Sequence, residues 1–371
     1  MNRKKTILFI APLPPPTYGS ALSSQTCLDV LQSSDDLEIE HIKINYSETF
    51  NDVGKVSLKK FIGFFIVLGK ITVTSIRFRP DLVYIMPATT GFAFIRDTLF
   101  SFLAKMLNSN IIYHFRTRIT KNDRRSKLKN FTFKNAFKES KAIILGKELT
   151  GDIISYFKKE NIFVLPNAIL KTITDEEFEV IEKGRLDSKK LRLVFLSNMM
   201  KDKGWLKILE SARILKDMAV EFTVTFAGSW PSKSEEKEFS DFVEDFDLSC
   251  YVNYIGFVDI NEKYDLLSNS DILIFPTEYK YETFGRVIIE AMEFGLPVIA
   301  NNIASIPSTI LDNTTGFLLK NNSPDEIAGY ITALKNRKDL IEMGKAARER
   351  FLSHYELTIF RNKFLKIIKS A

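Results

Sequence analysis

Two carboxylates, Glu282 and Glu290, stand eight residues apart on either side of a Phe284–Gly285 turn. Ionised carboxylates accept hydrogen bonds from ligand hydroxyls, so an acid pair spaced across a turn is a candidate binding constellation. Glu290 falls in an otherwise apolar run, where a charged group needs a partner or a function. The residues alone leave two readings of it open: a ligand anchor, or a salt bridge to Arg286 four residues earlier on the same helical face. Glu282, in a polar loop, reads by itself as a surface acid. Lys201 and Lys203 follow an apolar strand and precede a helix, a position where an ammonium and a helix N-terminus together neutralise phosphate. Asn198 ends that strand and is suited to an Asx turn. His114 closes the strand IIYHFR with Arg116 beside it, and both a structural histidine and a ligand contact remain open. Gly19 ends a proline-rich loop directly after the first strand, where a missing Cβ lets backbone approach a ligand. No metal site is expected: the 3 histidines and 2 cysteines are scattered, and no paired aspartates occupy a suitable loop. Neither a Ser–His–Asp order nor a GxGxxG fingerprint is present.

The elements that must carry these groups follow from apolar runs and their punctuation. Asp271–Asn301 reads as a strand (DILIF) ended by Pro276, a polar loop, a helix from about 284 to 294 closed by Gly295 and Pro297, and a strand beginning VIA. Strands of this kind recur from Lys5–Pro12 through 191–197 and 222–228 to 252–258, each followed by a helical pattern. That alternation predicts α/β architecture with mainly parallel sheets covered on both faces. A chain of 371 residues, 45% hydrophobic, is long enough for two such domains. Residues 169–190 carry charge and little core pattern, and read as a connection. Ser323 and Glu326 have the spacing of a capping box.

Charge is unevenly placed. The net value is +6, but residues 1–160 hold 25 Lys or Arg against 14 Asp or Glu, a net of +11, leaving −5 for 161–371. The basic half suits an anionic membrane surface or a phosphorylated substrate. Nucleic acid is not expected, because neither an aromatic-rich sheet signature nor a recognition-helix pattern accompanies the basic run 116–138. The short run TILFIAPL, broken by prolines, reads as a buried first strand rather than a signal peptide. Residues 61–76 are apolar but too short to span a bilayer, and read as a helix on or near a membrane. Two distant cysteines fit a reducing compartment.

At this point the residues resemble a known family. Glu282-Thr-Phe-Gly-Arg-Val-Ile-Ile-Glu290, followed by AMEFGLPVIA, resembles the E-x-F-G-x4-E motif of the retaining GT-B glycosyltransferases of family 4. The likeness extends to the loop ending in Gly19, PDLVYI, LPNAI, LSNMMKDKG, GFV and DILIFPT, and is most specific over 190–320. The resemblance implies a GT-B fold, two Rossmann-like domains facing one another across a cleft. The acceptor-binding domain would be 1–168, the joining region 169–190, the nucleotide-sugar domain 191–350, and 351–371 a helix crossing back to the first.

It also implies roles. Glu290 would hold the donor ribose and Glu282 the hydroxyls of the transferred sugar. Backbone N–H groups around Phe284, Gly285 and Arg286 would bind sugar or diphosphate, and Lys203 would stabilise the departing diphosphate. Gly19 would let its loop approach the diphosphate and acceptor, and His114 resembles the family histidine near the transferred sugar. The family usually has Gly-Arg where this chain has Ser197 and Asn198, so the expected arginine is missing, with Lys201, Arg286 or Arg116 as candidate replacements. The implied activity is metal-independent, cofactor-free transfer from a nucleoside diphosphate sugar, UDP-sugar being favoured. Its acceptor would be a lipid-diphosphate-linked glycan in surface polysaccharide or O-antigen synthesis, worked on by a cytoplasmic, peripheral protein at the inner face of the membrane. A non-catalytic nucleotide-sugar-binding assembly subunit and a GT-B-like nucleotide-sugar epimerase stand as alternatives.

Overall fold

The apolar runs become two parallel six-stranded sheets. The computed structural model describes residues 3–15, 19–44, 58–89, 91–107 and 110–371, without the side chains of 58–61 and 92. The chain divides into two units, 1–167 with 360–371, and 168–359.

In the first unit the strands are β1 (Lys5–Ala11), β2 (Leu37–Lys43), β3 (Leu82–Ile85), β4 (Ile111–His114), β5 (Lys141–Ile144) and β6 (Ile162–Val164), ordered β2-β1-β3-β4-β5-β6. β1 lies between β2 and β3, and its side chains from Ile7 to Ala11 are all buried, which is why it reads as a continuous apolar run rather than an alternating one. Right-handed crossovers put the helices Leu58–Phe78, Gly91–Leu107 and Lys127–Phe137 on one face of the sheet, the first packed on the second and the second on the third. The C-terminal helix Leu357–Ser370 completes this unit from Phe360 onward. Its Phe364 ring meets Tyr84 at 5.8 Å, and Lys5 Nζ donates to the Ile368 carbonyl near its end at 2.9 Å.

In the second unit the strands are β7 (Leu191–Leu196), β8 (Phe222–Ala227), β9 (Val252–Tyr254), β10 (Ile272–Phe275), β11 (Val298–Asn301) and β12 (Gly316–Leu319), ordered β12-β11-β10-β7-β8-β9. The order reverses between β7 and β10, so the loops leaving these two strands diverge side by side at the carboxyl edge. In open α/β sheets this is where ligands bind. The core is built around Trp205, Phe195, Phe226 and Ile274, all buried.

Two local expectations are refined. Residues 169–190 contain a helix, Asp175–Leu186, that belongs to the second unit and is closed at its start by a Thr174–Glu177 capping box. The Ser323–Glu326 box is half made. Ser323 Oγ accepts from the Glu326 N–H at 3.2 Å, but the Glu326 carboxylate turns back to the N–H groups of Lys320, Asn321 and Asn322. Asn322 is left-handed (φ 50°), and that turn aims three N–H groups at one carboxylate.

Candidate active site

The loops after β7 and β10 are fastened together. Gly204 ends the first in a left-handed conformation (φ 95°), and a Cβ there would lie 2.7 Å from Pro276, so only glycine lets the two loops close. The Glu278 N–H donates to the Asp202 carbonyl at 2.7 Å, and Lys207 Nζ reaches Glu278 at 2.8 Å. This seam carries Lys203 and Glu282 into contact: Nζ lies 2.7 Å from Oε2, and both side chains are largely buried. The ammonium also sits 4.6 Å from the centre of the Tyr279 ring and 5.7 Å from that of Phe275. The other oxygen of Glu282 accepts from the N–H groups of Thr283 at 3.2 Å and Gly285 at 3.1 Å.

Gly285 is also left-handed (φ 71°) and begins the helix Arg286–Glu293 with no side-chain cap. The helix Trp205–Asp217, after Gly204, likewise starts without one. The longer helices of this unit that lie away from the seam do the opposite. Thr174, Ser232, Asp259, Ser323 and Asn336 each cap a helix with a side-chain oxygen. Helix first turns without a side-chain cap, beside an ammonium, form an anion-binding corner. Phe284 itself is buried against Tyr355, at 5.9 Å between rings, so only its backbone is available to a ligand.

Glu290 is paired twice. Lys263 Nζ lies 2.9 Å from Oε1, and Arg286 Nε 3.3 Å from the same oxygen. The Arg286 bridge is the one its spacing allows, whereas Lys263 arrives from the preceding helix, Ile260–Ser268. Arg286 Nη1 is buried with no hydrogen-bond partner. The fully buried acid of this helix is Glu293, which accepts from the N–H and hydroxyl of Thr172 and from the Ile173 N–H. Burial pushes its carboxyl above the usual range despite these donors.

Behind the site sits Arg185, buried to 1% exposure. It donates to the carbonyls of Leu267 and Ser270, at the end of Ile260–Ser268, and of Phe294 and Gly295, at the end of Arg286–Glu293. One guanidinium thereby closes the two helices whose other residues, Lys263 and Glu290, pair. Burial brings its pKa down to about 10.

The remaining candidates lie apart from this group. Lys201 pairs with Glu238, and its N–H donates to Glu235 at 2.9 Å, so its charge is held toward helix Lys233–Asp245. Asn198 is exposed, and its carbonyl accepts from the Met200 N–H at 2.8 Å in a tight turn. In the first unit Gly19 is exposed at the start of helix Gly19–Gln32, with nothing near enough to require glycine. Arg116 donates to Asn167 and to Cys27 Sγ. His114 is 0% exposed: Nδ1 shares a 2.5 Å hydrogen bond with the Tyr84 hydroxyl, the ring lies against Phe364, and Nε2 is buried without a partner. Burial, reinforced by Arg116, holds its pKa well below 6.5, so the ring is neutral. As placed it offers no surface to a ligand. Among the described residues, no group of three or more His, Cys, Asp or Glu side chains is arranged to hold a metal ion.

Two Rossmann-like units, each a parallel six-stranded sheet flanked by helices, make up the GT-B fold. Residues 176–350, which lie within the second unit, match the family described as glycosyl transferases group 1. The chain is 27% identical over 248 residues to the poly(ribitol-phosphate) alpha-N-acetylglucosaminyltransferase of Staphylococcus aureus, covering 66% of this chain and 47% of that protein. It is also 27% identical over 241 residues to the capsular polysaccharide biosynthesis glycosyltransferase CapM of Staphylococcus aureus, covering 60% and 62%. The alignments span roughly half to three-fifths of these relatives' own length. Among solved structures, Anabaena HepE in complex with UDP superimposes with a TM-score of 0.74 at 17% identity, over 99% of this chain and 100% of that one.

Proposed function

We propose that this protein is a retaining glycosyltransferase that moves a sugar from a nucleoside diphosphate sugar to a hydroxyl of a glycan acceptor. The observation that carries this reading is the Lys203–Glu282 contact beside the uncapped helix Arg286–Glu293. Cleaving the anomeric bond puts negative charge on the leaving diphosphate, and a preorganised ammonium with backbone donors is what stabilises it. In this reading Lys203 and the N–H groups of Phe284 and Arg286 hold the diphosphate, and the Gly285 N–H, which donates to Glu282, positions that carboxylate beside it. Glu282 orients sugar hydroxyls and Glu290 the ribose. Arg286, with one unpartnered nitrogen, supplies the charge missing at Asn198; Lys201 is held by Glu238 and is the weaker candidate. The acceptor hydroxyl attacks the face the diphosphate leaves, and a phosphate oxygen takes its proton. Gly19 serves the acceptor side, while His114 supports the sheet edge beneath it.

UDP-sugar is favoured as donor by the UDP bound to HepE, and surface polysaccharide as product by the names of the two staphylococcal relatives. The acceptor in this reading is linked to a lipid diphosphate, and the protein works as a peripheral one at the inner face of the cytoplasmic membrane. The net +11 of residues 1–160 supports that placement. Equal sedimentation of the wild type and a charge-reversed 116–138 variant with anionic vesicles would remove its electrostatic part. A second reading, a nucleotide-sugar-binding subunit without turnover, is favoured only by Asn198. A panel of nucleotide-sugar donors assayed by mass spectrometry against lipid-diphosphate sugars separates the two. Transfer from one donor is expected, and binding without transfer from any donor would favour the subunit.

A further inference from the structure

The helix Leu58–Phe78 is apolar on the side that faces away from the protein. Its buried positions are few: Val67, Ile71 and Ser75. Of the positions turned outward, Ile62, Phe65, Ile66, Val73 and Ile76 are each more than half exposed. A helix apolar all round normally lies inside a core. The neighbouring helices continue the pattern. Gly91–Leu107 exposes Ile95, Leu99 and Met106, and Lys127–Phe137 exposes Leu128 and Phe131, at 76% and 68%. The three helices form one layer on the same face of the first sheet. A layer this apolar on its outer side marks an interaction surface.

The charge around the layer selects its occupant. Residues 58–138 contain sixteen Lys or Arg and three Asp or Glu, a net of +13. Two of the three acids are buried in ion pairs, Asp97 with Arg96 and Asp123 with Lys129, and the third, Asp81, bonds to Arg3 and Thr6. The surface is therefore apolar and strongly basic, with the exposed Glu139 at its edge beside Lys138. A second copy docked through this face would set like charge against like charge across a two-fold axis. An anionic lipid surface meets both properties at once, with apolar side chains at the acyl boundary and cations among the headgroups. Among the described residues no helix is long and apolar enough to cross a membrane, so the contact is one of lying in the interface.

We propose that the outer face of these three helices is a bilayer-docking surface that inserts Phe65, Ile76 and Phe131 into an anionic leaflet. This deepens the peripheral placement proposed above by naming the surface and by adding insertion to attraction. Insertion predicts salt resistance: binding by charge alone disappears in about 1 M salt, where the Debye length is about 3 Å, whereas buried apolar contact persists.

The test is sedimentation of the full chain with phosphatidylglycerol–phosphatidylethanolamine vesicles, at low and high salt, for the wild type, F65D/I76D and L128D/F131D. Thermal melts and light scattering are run on the same samples. The wild type is expected to be monomeric and to keep part of its binding at high salt. Each double variant should melt like the wild type and lose at least tenfold in vesicle partitioning. Three outcomes would overturn the proposal. They are variants that sediment like the wild type, wild-type binding abolished by high salt, or a wild-type dimer that the substitutions dissociate without any vesicle binding. Donor turnover on a soluble acceptor is read alongside. Its absence with vesicle binding intact would count against the glycosyltransferase reading and leave the docking surface standing.

Discussion

Lys203 and Glu282 are 79 residues apart in sequence and 2.7 Å apart in space. Each sits in the loop after a different strand, and the two strands are neighbours because the second sheet reverses its order between them. The pair makes the first prediction. K203A should lower kcat by about 10²–10³-fold, the scale for losing one preorganised donor to a developing anion. K203A/E282A should lose less than the product of the two single losses, because the groups act as a unit. Steady-state kinetics on the four proteins checks this, and strictly multiplicative losses would separate the two residues.

Glu290 predicts a different kinetic signature. With its carboxylate on the donor ribose, E290A should cost about 1.5–3 kcal/mol of donor affinity, the net value of a hydrogen bond to a charged group. E282A should retain affinity and lose turnover. Calorimetric titration with UDP and with UDP-sugars reads the first, and kcat the second. Normal turnover in both variants would defeat the assignment of the site.

Arg185 predicts a stability effect with a structural address. In R185M the carbonyls of Ser270, Phe294 and Gly295 lose the guanidinium, while that of Leu267 keeps the Ser270 N–H, and each buried polar group left unpaired costs about 1–3 kcal/mol. A fall of about 3 kcal/mol or more in urea-unfolding free energy is expected. Hydrogen exchange should accelerate first at the C-terminal turns of Ile260–Ser268 and Arg286–Glu293. Uniform acceleration across the second unit would assign Arg185 a general packing role instead.

His114 predicts a pH dependence. Folded, its ring stays neutral well below pH 6.5; unfolded, it takes up a proton near 6.5. Between the lowered folded value and 6.5 the unfolded state binds more protons, so this residue's contribution to stability falls as pH drops below 6.5 and is constant above it. Melting wild type and H114F across that range should show the gap between them moving in favour of the variant as the solution is acidified. A gap independent of pH would mean that the imidazole is protonated in both states or in neither.

The sheets were legible because buried parallel strands are written as apolar runs closed by Pro, Gly or Asn. The Arg286–Glu290 bridge was legible because both residues lie on one helical face. Lys263 and Glu293 were not. Their partners lie 27 and about 120 residues away, and nothing in the local pattern points across that distance. Glu290 drew attention as the acid in an apolar helix, although the acid that is wholly buried lies three residues on. Arg185 was hidden in a charged segment that looked like a connection. A signal did exist there: Thr174-Asp-Glu-Glu177 has capping-box spacing, and Phe178, Ile181 and Arg185 fall on one helical stripe, two of them buried and Ile181 partly so. His114 could not be placed from sequence. A strand end allows a side chain to face the ligand edge or the helices, and Phe364, from the end of the chain, decides which.

The grip of Arg185 has a consequence for recombining such proteins. A second unit cut out at residue 190 would leave behind the guanidinium that closes two of its helices and the Thr172–Ile173 donors that hold Glu293. Cut after Asn167, it would carry both. The transferable cassette therefore begins some twenty residues before its first strand, and the segment that looks like a tether travels with the second unit.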